Sequence, residues 1–468
     1  MSSELPAVDP SAISDLVRQG FPTTIADLAR LVRIPSVSWD GFDPAHVAAS
    51  AEAVAGLLRD LDLFEAVEIR RAPLASGAGL GQPAVLARRP ARNGRPTVLL
   101  YAHHDVQPPG ADEDWETAPF EPTQRGDRLY GRGAADDKAG VMAHVGALRA
   151  LKQHAGDDPD LGIAVFIEGE EEFGSGSFAA FLAEHRDALA ADAIIVADSG
   201  NWDEVTPALT VGLRGNVTFN LTIETLEHAS HSGMFGGAVP DAMLAAARLL
   251  ASLHREDGSV AVEGLRGIEQ ETPAYDEAQL RAETGLLPEV QPVGRGTILS
   301  RIWSQPAVTV TGMDLPSVQN ASNTLLPKVR ARISVRIAPG QPAAEAYEAV
   351  EAHLLAHAPF GARLSFDEVI TGEPFLVDTD GWAVAAMNRA LEDVWGVAPV
   401  QMGVGGSIPF IADLVEVFPE AQILVTGVED PHSRAHSPGE SLHLGVFQRA
   451  VASEALLLAR LEAGELAD

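Results

Sequence analysis

The chain has 468 residues, 46% hydrophobic and 21% charged, the proportions of a globular protein with a large core; that length calls for two or three domains. Its 33 Lys and Arg stand against 66 Asp and Glu, a net charge of −33 that repels nucleic acid and anionic membranes. There is no cysteine, which excludes disulfides, thiolate metal sites and cysteine nucleophiles, so any metal must be held by histidines and carboxylates.

The N-terminal stretch MSSELPAVDPSAISDL lacks the basic and apolar regions of a signal peptide. No apolar run approaches the ~20 residues a membrane span needs, so a cytoplasmic location is expected. Apolar residues at helical spacing (Ile13, Leu16, Val17, Ile25, Leu28, Leu31, Val32) predict a helix over 12–33, stopped by Pro35. A second amphipathic helix is predicted over 46–61. SGAGLG at 76–81 resembles a phosphate loop, but no helix start follows, and it reads as a surface loop. Val98-Leu99-Leu100, just after Pro96, predicts a buried strand running into YAHHDVQPP at 101–109.

Strands and helices then alternate: a helix over 138–154, the strand IAVFIEGEEE at 163–172, a helix over 177–190, and the apolar strand AIIVADSG at 193–200. Fully apolar strands between helices predict an α/β fold with a mostly parallel sheet covered by helices. Sites in such sheets lie at the carboxyl ends of strands, where His103, Glu171, Glu172 and Asp198 all fall. From about 212 the texture changes. NVTFNLTIE, AVTVTG, KVRARISVRIAPG and ARLSFDEVI alternate polar with apolar, between helices over 239–254 and 342–357 and a loop-rich stretch at 257–300. This predicts an α+β domain, an antiparallel sheet with helices on one face, inserted at 212–375. The core-type pattern returns with a helix over 379–395, the loop GVGGSIP at 403–409, the strand ILVTG and a long C-terminal helix. The main domain is therefore expected to be discontinuous, 1–211 and 376–468.

Five residues are candidate metal ligands: His103, Asp136, Glu172, Asp198 and His436. Two imidazoles and three carboxylates suit zinc, or manganese or cobalt less selectively. Two divalent ions carry four positive charges, which three carboxylates and one bridging hydroxide neutralise; one ion would leave the set too acidic. Asp105 is placed to accept the proton on the far nitrogen of His103 and fix its tautomer. Asp136 lies in GRGAADDK, where Gly131 and Gly133 free the backbone; an acid there also suits a helix start by itself. Lys138 receives no role. Adjacent acids at 170–172 either form a solvated acidic edge or repel unless a cation binds one of them, for which Glu172 is the candidate. A bound metal lowers the pKa of water from about 15.7 towards ~7, so Glu171 can take its proton and pass it to a leaving amine. Glu170 reads as solvated, and His104, His144 and His228 as structural.

These residues resemble the dinuclear-zinc family of carnosinases, glutamate carboxypeptidases, aminoacylases and desuccinylases. The motifs that carry the resemblance are LVRIPSVS (31–38), YAHHDVQP (101–108), LYGRGAADDK (129–138), EGEEEFGS (168–175), ADS (197–199), VGLRG (211–215), HSGMFGG (231–237), GGSIP (405–409) and AHSPGE (435–440). DVQP, HSGMFGG and ILSRIWSQPAVTVTGM at 298–313 look most like the carnosinase-type dipeptidases. The resemblance implies that Asp136 bridges two ions through a cis peptide to Asp137, that His103 and Asp198 complete one ion's shell, and that Glu172 and His436 complete the other's. It implies Glu171 as general acid/base and a homodimer through the inserted lid domain, with His231 polarising the scissile carbonyl across that dimer. Arg336 and Ser407 would then hold the substrate's C-terminal carboxylate. SNTLLPKVRA, around Asn323, departs from the TVIP-like segment of relatives. The activity implied is metal-dependent hydrolysis of dipeptides through a metal-activated water. The first alternative is an N-acyl-amino-acid deacylase on the same site, and the second a silent metal-binding or assembly protein.

Overall fold

The computed structural model describes residues 7–269, 272–405 and 409–465. Two of its helices begin alike, Pro10–Val32 after Asp9 and Pro44–Asp60 after Asp43. Each aspartate accepts from a first-turn amide, Ser11 N at 3.0 Å and Ala45 N at 2.9 Å. Proline at the first helical position has no N–H to leave unpaired, so both starts satisfy their backbone cheaply.

The chain divides into two compact units. The first contains Met1–Val211, Val377–Gln401 and Asp413–Asp468; the second contains Gly212–Leu376 and Met402–Ala412. Met402–Ala412, read in the sequence as part of the returning main domain, groups instead with the inserted unit.

The sheet of the first unit is mixed and runs in the order Val67–Arg70, Ala84–Arg89, Gly162–Glu168, Thr97–His103, Ala193–Val196, Gln422–Val425, followed by Ala208–Leu213, which pairs antiparallel with Gln422–Val425. Its four central strands are parallel, and the two at the Val67 edge are antiparallel. The difference follows burial. Thr97–His103, Gly162–Glu168 and Ala193–Val196 are buried at every residue, whereas Val67–Arg70 alternates half-buried with exposed. Lys138–Ala155 packs on the Thr97–His103 strand and against Pro10–Val32 and Leu444–Ala463.

Two local expectations change. The acidic strand stops at Glu168, and Glu171–Phe173 forms a 3₁₀ turn. A continuing strand would send Glu171 and Glu172 to opposite faces, and the turn lets both serve one site. The helix expected over 177–190 is two short helices, Phe178–Glu184 and Arg186–Leu189, broken at His185. SGAGLG is a turn exposed from Ser76 to Leu80, with Gly77 and Gly79 at positive φ and Gly81 buried.

The second unit has a four-stranded antiparallel sheet in the order Ala307–Met313, Lys328–Ile337, Gly215–Glu224, Arg363–Gly372. Alternation sends Val217, Phe219, Leu221 and Ile223 to one face with Val329, Ile333, Val335 and Ile337. Helices Ala242–Ala251 and Ala343–Ala356 contribute Ala245, Leu249, Val350 and Leu354 to the same core. No described helix is long and apolar enough to cross a membrane.

Candidate metal centre and active site

The Thr97–His103 strand delivers a buried imidazole to its carboxyl end, and the next turn brings Asp105 beneath it. His103 Nδ1 lies 3.2 Å from the Asp105 carbonyl and 3.3 Å from its Oδ1. The same carboxylate accepts from Glu171 N (3.2 Å), Glu172 N (3.1 Å) and Ser38 Oγ (2.7 Å). One buried acid therefore fixes both the imidazole and the turn that carries the two glutamates.

Asp136 stands between two imidazoles. Its Oδ1 is 3.2 Å from His103 Nε2 and its Oδ2 is 2.9 Å from His436 Nε2. His436 Nε2 is also 3.2 Å from Glu172 Oε2. Asp198 Oδ1 lies 3.8 Å, and Glu171 Oε2 3.9 Å, from His103 Nε2. Two groups result, His103 with Asp137 and Asp198, and Asp136 with Glu172 and His436, each with ligand atoms within 4.8 Å of one another. The Asp136–Asp137 peptide is cis.

The charges respond to this crowding. Burial opposes protonation of His103, but Asp105, Asp136 and Asp198 raise its pKa well above the usual value. Hydrogen bonds to Asp136 and Glu172 lift His436 to about 11. Burial would raise Asp136, yet the imidazoles of His103 and His436 beside it outweigh that and hold the carboxyl low. Burial, and then the neighbouring Asp198 charge, raises Asp137 well above the carboxylate range. Burial likewise raises Glu171, with Asp198 and Glu172 adding to the effect and His103 opposing it.

Several supporting residues escaped the sequence reading. Gln107 donates to Glu172 through its backbone (3.0 Å) and side-chain amide (2.7 Å). Glu440 Oε1 accepts from Ala135 N (2.9 Å) and Asp136 N (3.1 Å), and its Oε2 accepts from Arg132 (2.5 Å). Arg132 and Glu440 are 1% and 0% exposed, so deleting one leaves a buried unpaired charge. Glu440→Ala is therefore expected to cost about 3–5 kcal/mol in a denaturant titration and to loosen the Asp136 loop. Lys138, given no role in the sequence, is fully buried and donates to the carbonyls of Leu31 (2.9 Å) and Ile34 (2.6 Å). Glu170, read as solvated, is buried and accepts from Ser177 N (2.7 Å), Ser177 Oγ (2.6 Å) and Gln82 N (2.7 Å). His104 and His144 are buried and bonded to the Pro83 and Tyr101 carbonyls. Solvent-exposed acids and buried bonded ones look alike in sequence; only the tertiary packing separates them.

His231 and Arg336 lie in the second unit. His231 pairs with Thr324 across a short ladder, is exposed, and accepts from Gly233 N at 3.0 Å as a helix cap. Asn323 accepts from Ser232 N through its carbonyl (2.9 Å). Ser407 lies outside the described residues.

The profile of peptidase family M20/M25/M40 matches residues 99–460. The chain belongs to this family. It is 35% identical over 368 residues to the cysteinylglycine-S-conjugate dipeptidase of Corynebacterium striatum, covering 78% of this chain and 80% of that one. It is 28% identical over 386 residues to the beta-Ala-His dipeptidase of Rattus norvegicus, covering 77% and 76%. The crystal structure of human carnosine dipeptidase 1 matches with a TM-score of 0.76 and 22% identity, covering 98% of this chain and all of that one, a likeness of fold. The M20/M25/M40 assignment agrees with the resemblance carried by the motifs, and the protein is a metallopeptidase.

The donor set fits the divalent ions such an enzyme uses. His103 Nε2 is buried, has no partner in hydrogen-bonding geometry, and faces three carboxylates. A buried imidazole nitrogen left in this way costs stability unless a cation occupies the space before it.

Proposed function

We propose that the protein is a metal-dependent dipeptidase with two divalent ions per subunit, zinc suiting the donors best and manganese or cobalt able to replace it. What carries this reading is the position of Asp136, whose two oxygens meet His103 on one side and His436 on the other. His103 and Asp198 would hold one ion and Glu172 and His436 the other, with Asp136 as the acid available to both. The Asp137 carboxylate, which accepts from His103 N at 3.1 Å, braces the first group from below. Ions held there supply Lewis acidity to a carbonyl and acidify water.

The remaining work falls to side chains. Asp105 holds His103 in one tautomer and aims the Glu171 turn. Glu171 takes the proton from the attacking water and returns it to the leaving amine nitrogen, so the peptide C–N bond breaks without expelling an unprotonated amide. His231, contributed across a homodimer formed through the lid unit, stabilises the tetrahedral oxyanion. Arg336 and Ser407 bind the substrate's C-terminal carboxylate, giving a carboxypeptidase-type preference for a free chain end. The cytoplasm is the proposed location.

A panel of dipeptides with free amines and N-acyl-amino acids, assayed with each divalent ion added back to chelated protein, tests the reading. Faster cleavage of the dipeptides supports it; cleavage of the acyl-amino acids alone replaces it with the deacylase.

Metal capture should depend on pH. Without cations His103 and His436 have raised pKa values, so both carry protons near neutrality. Each ion must displace one, and apparent affinity rises with pH by about tenfold per unit for each proton released. Metal titrations at two pH values, with proton release followed by buffer-dependent calorimetry, measure it.

A further inference from the structure

The loop from Gly427 to Glu440 carries three acids, and two of them have guanidinium partners. It follows the strand Gln422–Val425, which runs parallel to Ala193–Val196, so it leaves the sheet beside the segment that bears Asp198. Asp430 is buried and accepts from Arg128 at 2.8 and 3.0 Å. Glu440 is held by Arg132 at 2.5 Å. The carboxylate of Glu429, just before Asp430, has neither a cationic partner nor a hydrogen bond among the described residues.

The backbone of Glu429 is fixed against the Asp198 segment, and both belong to the first unit. Glu429 N donates to the Ser199 carbonyl at 3.4 Å, and its own carbonyl accepts from Asn201 N at 2.8 Å and Asn201 Nδ2 at 3.2 Å. The two segments are close enough that a Cβ on Gly200 would lie 3.4 Å from the Glu429 Cβ. The side chain is half-buried, and the charges that act on it are those of the metal centre. After burial, Asp136, Asp198 and Glu440 push its pKa well above the carboxylate range, and His436 opposes them. Asp136, Glu172, Asp198 and a hydroxide already balance the two proposed ions, so Glu429 stands outside that count. A half-buried acid with no cation of its own gains Coulomb energy when a cationic ligand arrives. The α-ammonium of a dipeptide is such a ligand. It sits two bonds from the scissile carbonyl carbon and must come to rest next to the ions, whereas an N-acyl-amino acid brings no charge to that place.

We propose that Glu429 is a specificity-determining residue: it binds the free α-ammonium of the substrate and so selects dipeptides over N-acyl-amino acids. This rests on the dipeptidase reading, for which it names the residue that tells the two substrate classes apart. Because the place of Glu429 is set through backbone bonds to Ser199 and Asn201, both of its carboxylate oxygens are left for the ligand. A charge-assisted hydrogen bond from an ammonium to a carboxylate is among the stronger polar contacts available to a small substrate.

The test takes a dipeptide and its desamino counterpart, in which hydrogen replaces the α-amine, on the metal-loaded full chain and on Glu429→Gln and Glu429→Asp. The desamino compound is followed as a substrate or, if it is not turned over, as a competitive inhibitor. Glu429→Gln is expected to lower kcat/KM on the dipeptide by about tenfold or more, mainly through KM, and to change the desamino compound by less than about twofold. Discrimination between the two then collapses. Glu429→Asp keeps the charge on a shorter arm and should recover part of it. An equal loss on both compounds, or loss of metal from Glu429→Gln by mass spectrometry, makes Glu429 a support of the metal centre and overturns the proposal. If Glu429→Gln does not fold, Glu429→Asp decides: lowered discrimination supports the amine site, and discrimination equal to that of the unsubstituted protein overturns it. The dipeptidase reading is judged on the unsubstituted protein. If that protein cleaves the desamino compound and not the dipeptide, the reading falls and the amine site with it. Cleavage of the dipeptide with unchanged discrimination in Glu429→Gln removes the amine site alone.

Discussion

Glu171→Gln is expected to lower turnover of a dipeptide by about 10²–10⁴-fold while leaving metal content and KM close to those of the unsubstituted protein. Glu171 belongs to neither metal-holding group among the described residues, yet its Oε2 is 3.9 Å from His103 Nε2 at the rim of both. Its backbone N–H donates to Asp105 at 3.2 Å, which holds in place the turn that carries it. Burial, and then the acids Asp198 and Glu172, raise its pKa, which suits a group that must accept a proton and release it in one cycle. Glutamine keeps the shape and cannot move that proton. Steady-state kinetics with metal analysis by mass spectrometry checks the result. Near-normal turnover would sink the acid–base role; loss of metal would make Glu171 a ligand instead.

The second large effect follows from Asp136. Chelation should abolish activity, and zinc, manganese or cobalt should restore it, because bound ions would supply the Lewis acidity and the acidified water that the proposed hydrolysis needs. Bound ions also stabilise: at 100 times Kd each adds about 2.7 kcal/mol, so chelated protein should melt at a distinctly lower temperature. Asp136→Asn should imitate chelation and resist rescue by added metal, since one neutral amide replaces the acid shared by His103 and His436. Retention of both ions by Asp136→Asn would show that Asp136 does not bridge them.

Much of this was legible in the chain, for reasons that can be named. The two N-terminal helices, which begin two residues before their expected starts, the wholly apolar strands and the alternating strands of the inserted unit each follow from short-range patterns. The candidate ligands were readable because they sit at strand ends and loops, where the sequence itself is unusual. What was not legible depends on contacts made across hundreds of residues. Glu440 lies in the AHSPGE motif, but its reach back to Ala135, Asp136 and Arg132 is set by the fold and cannot be read from those residues. Lys138 and Glu170 carry charge, and charge usually means solvent; their burial rests on acceptors and donors supplied by distant backbone. The 3₁₀ turn at Glu171–Phe173 was hidden because a run of acids has no period.

Asp105 sets a limit on how this centre can change. Its two oxygens are shared among a histidine, a serine and two consecutive glutamate amides, so ligand geometry and proton-transfer geometry are set by one clamp. A substitution that retunes one necessarily disturbs the other.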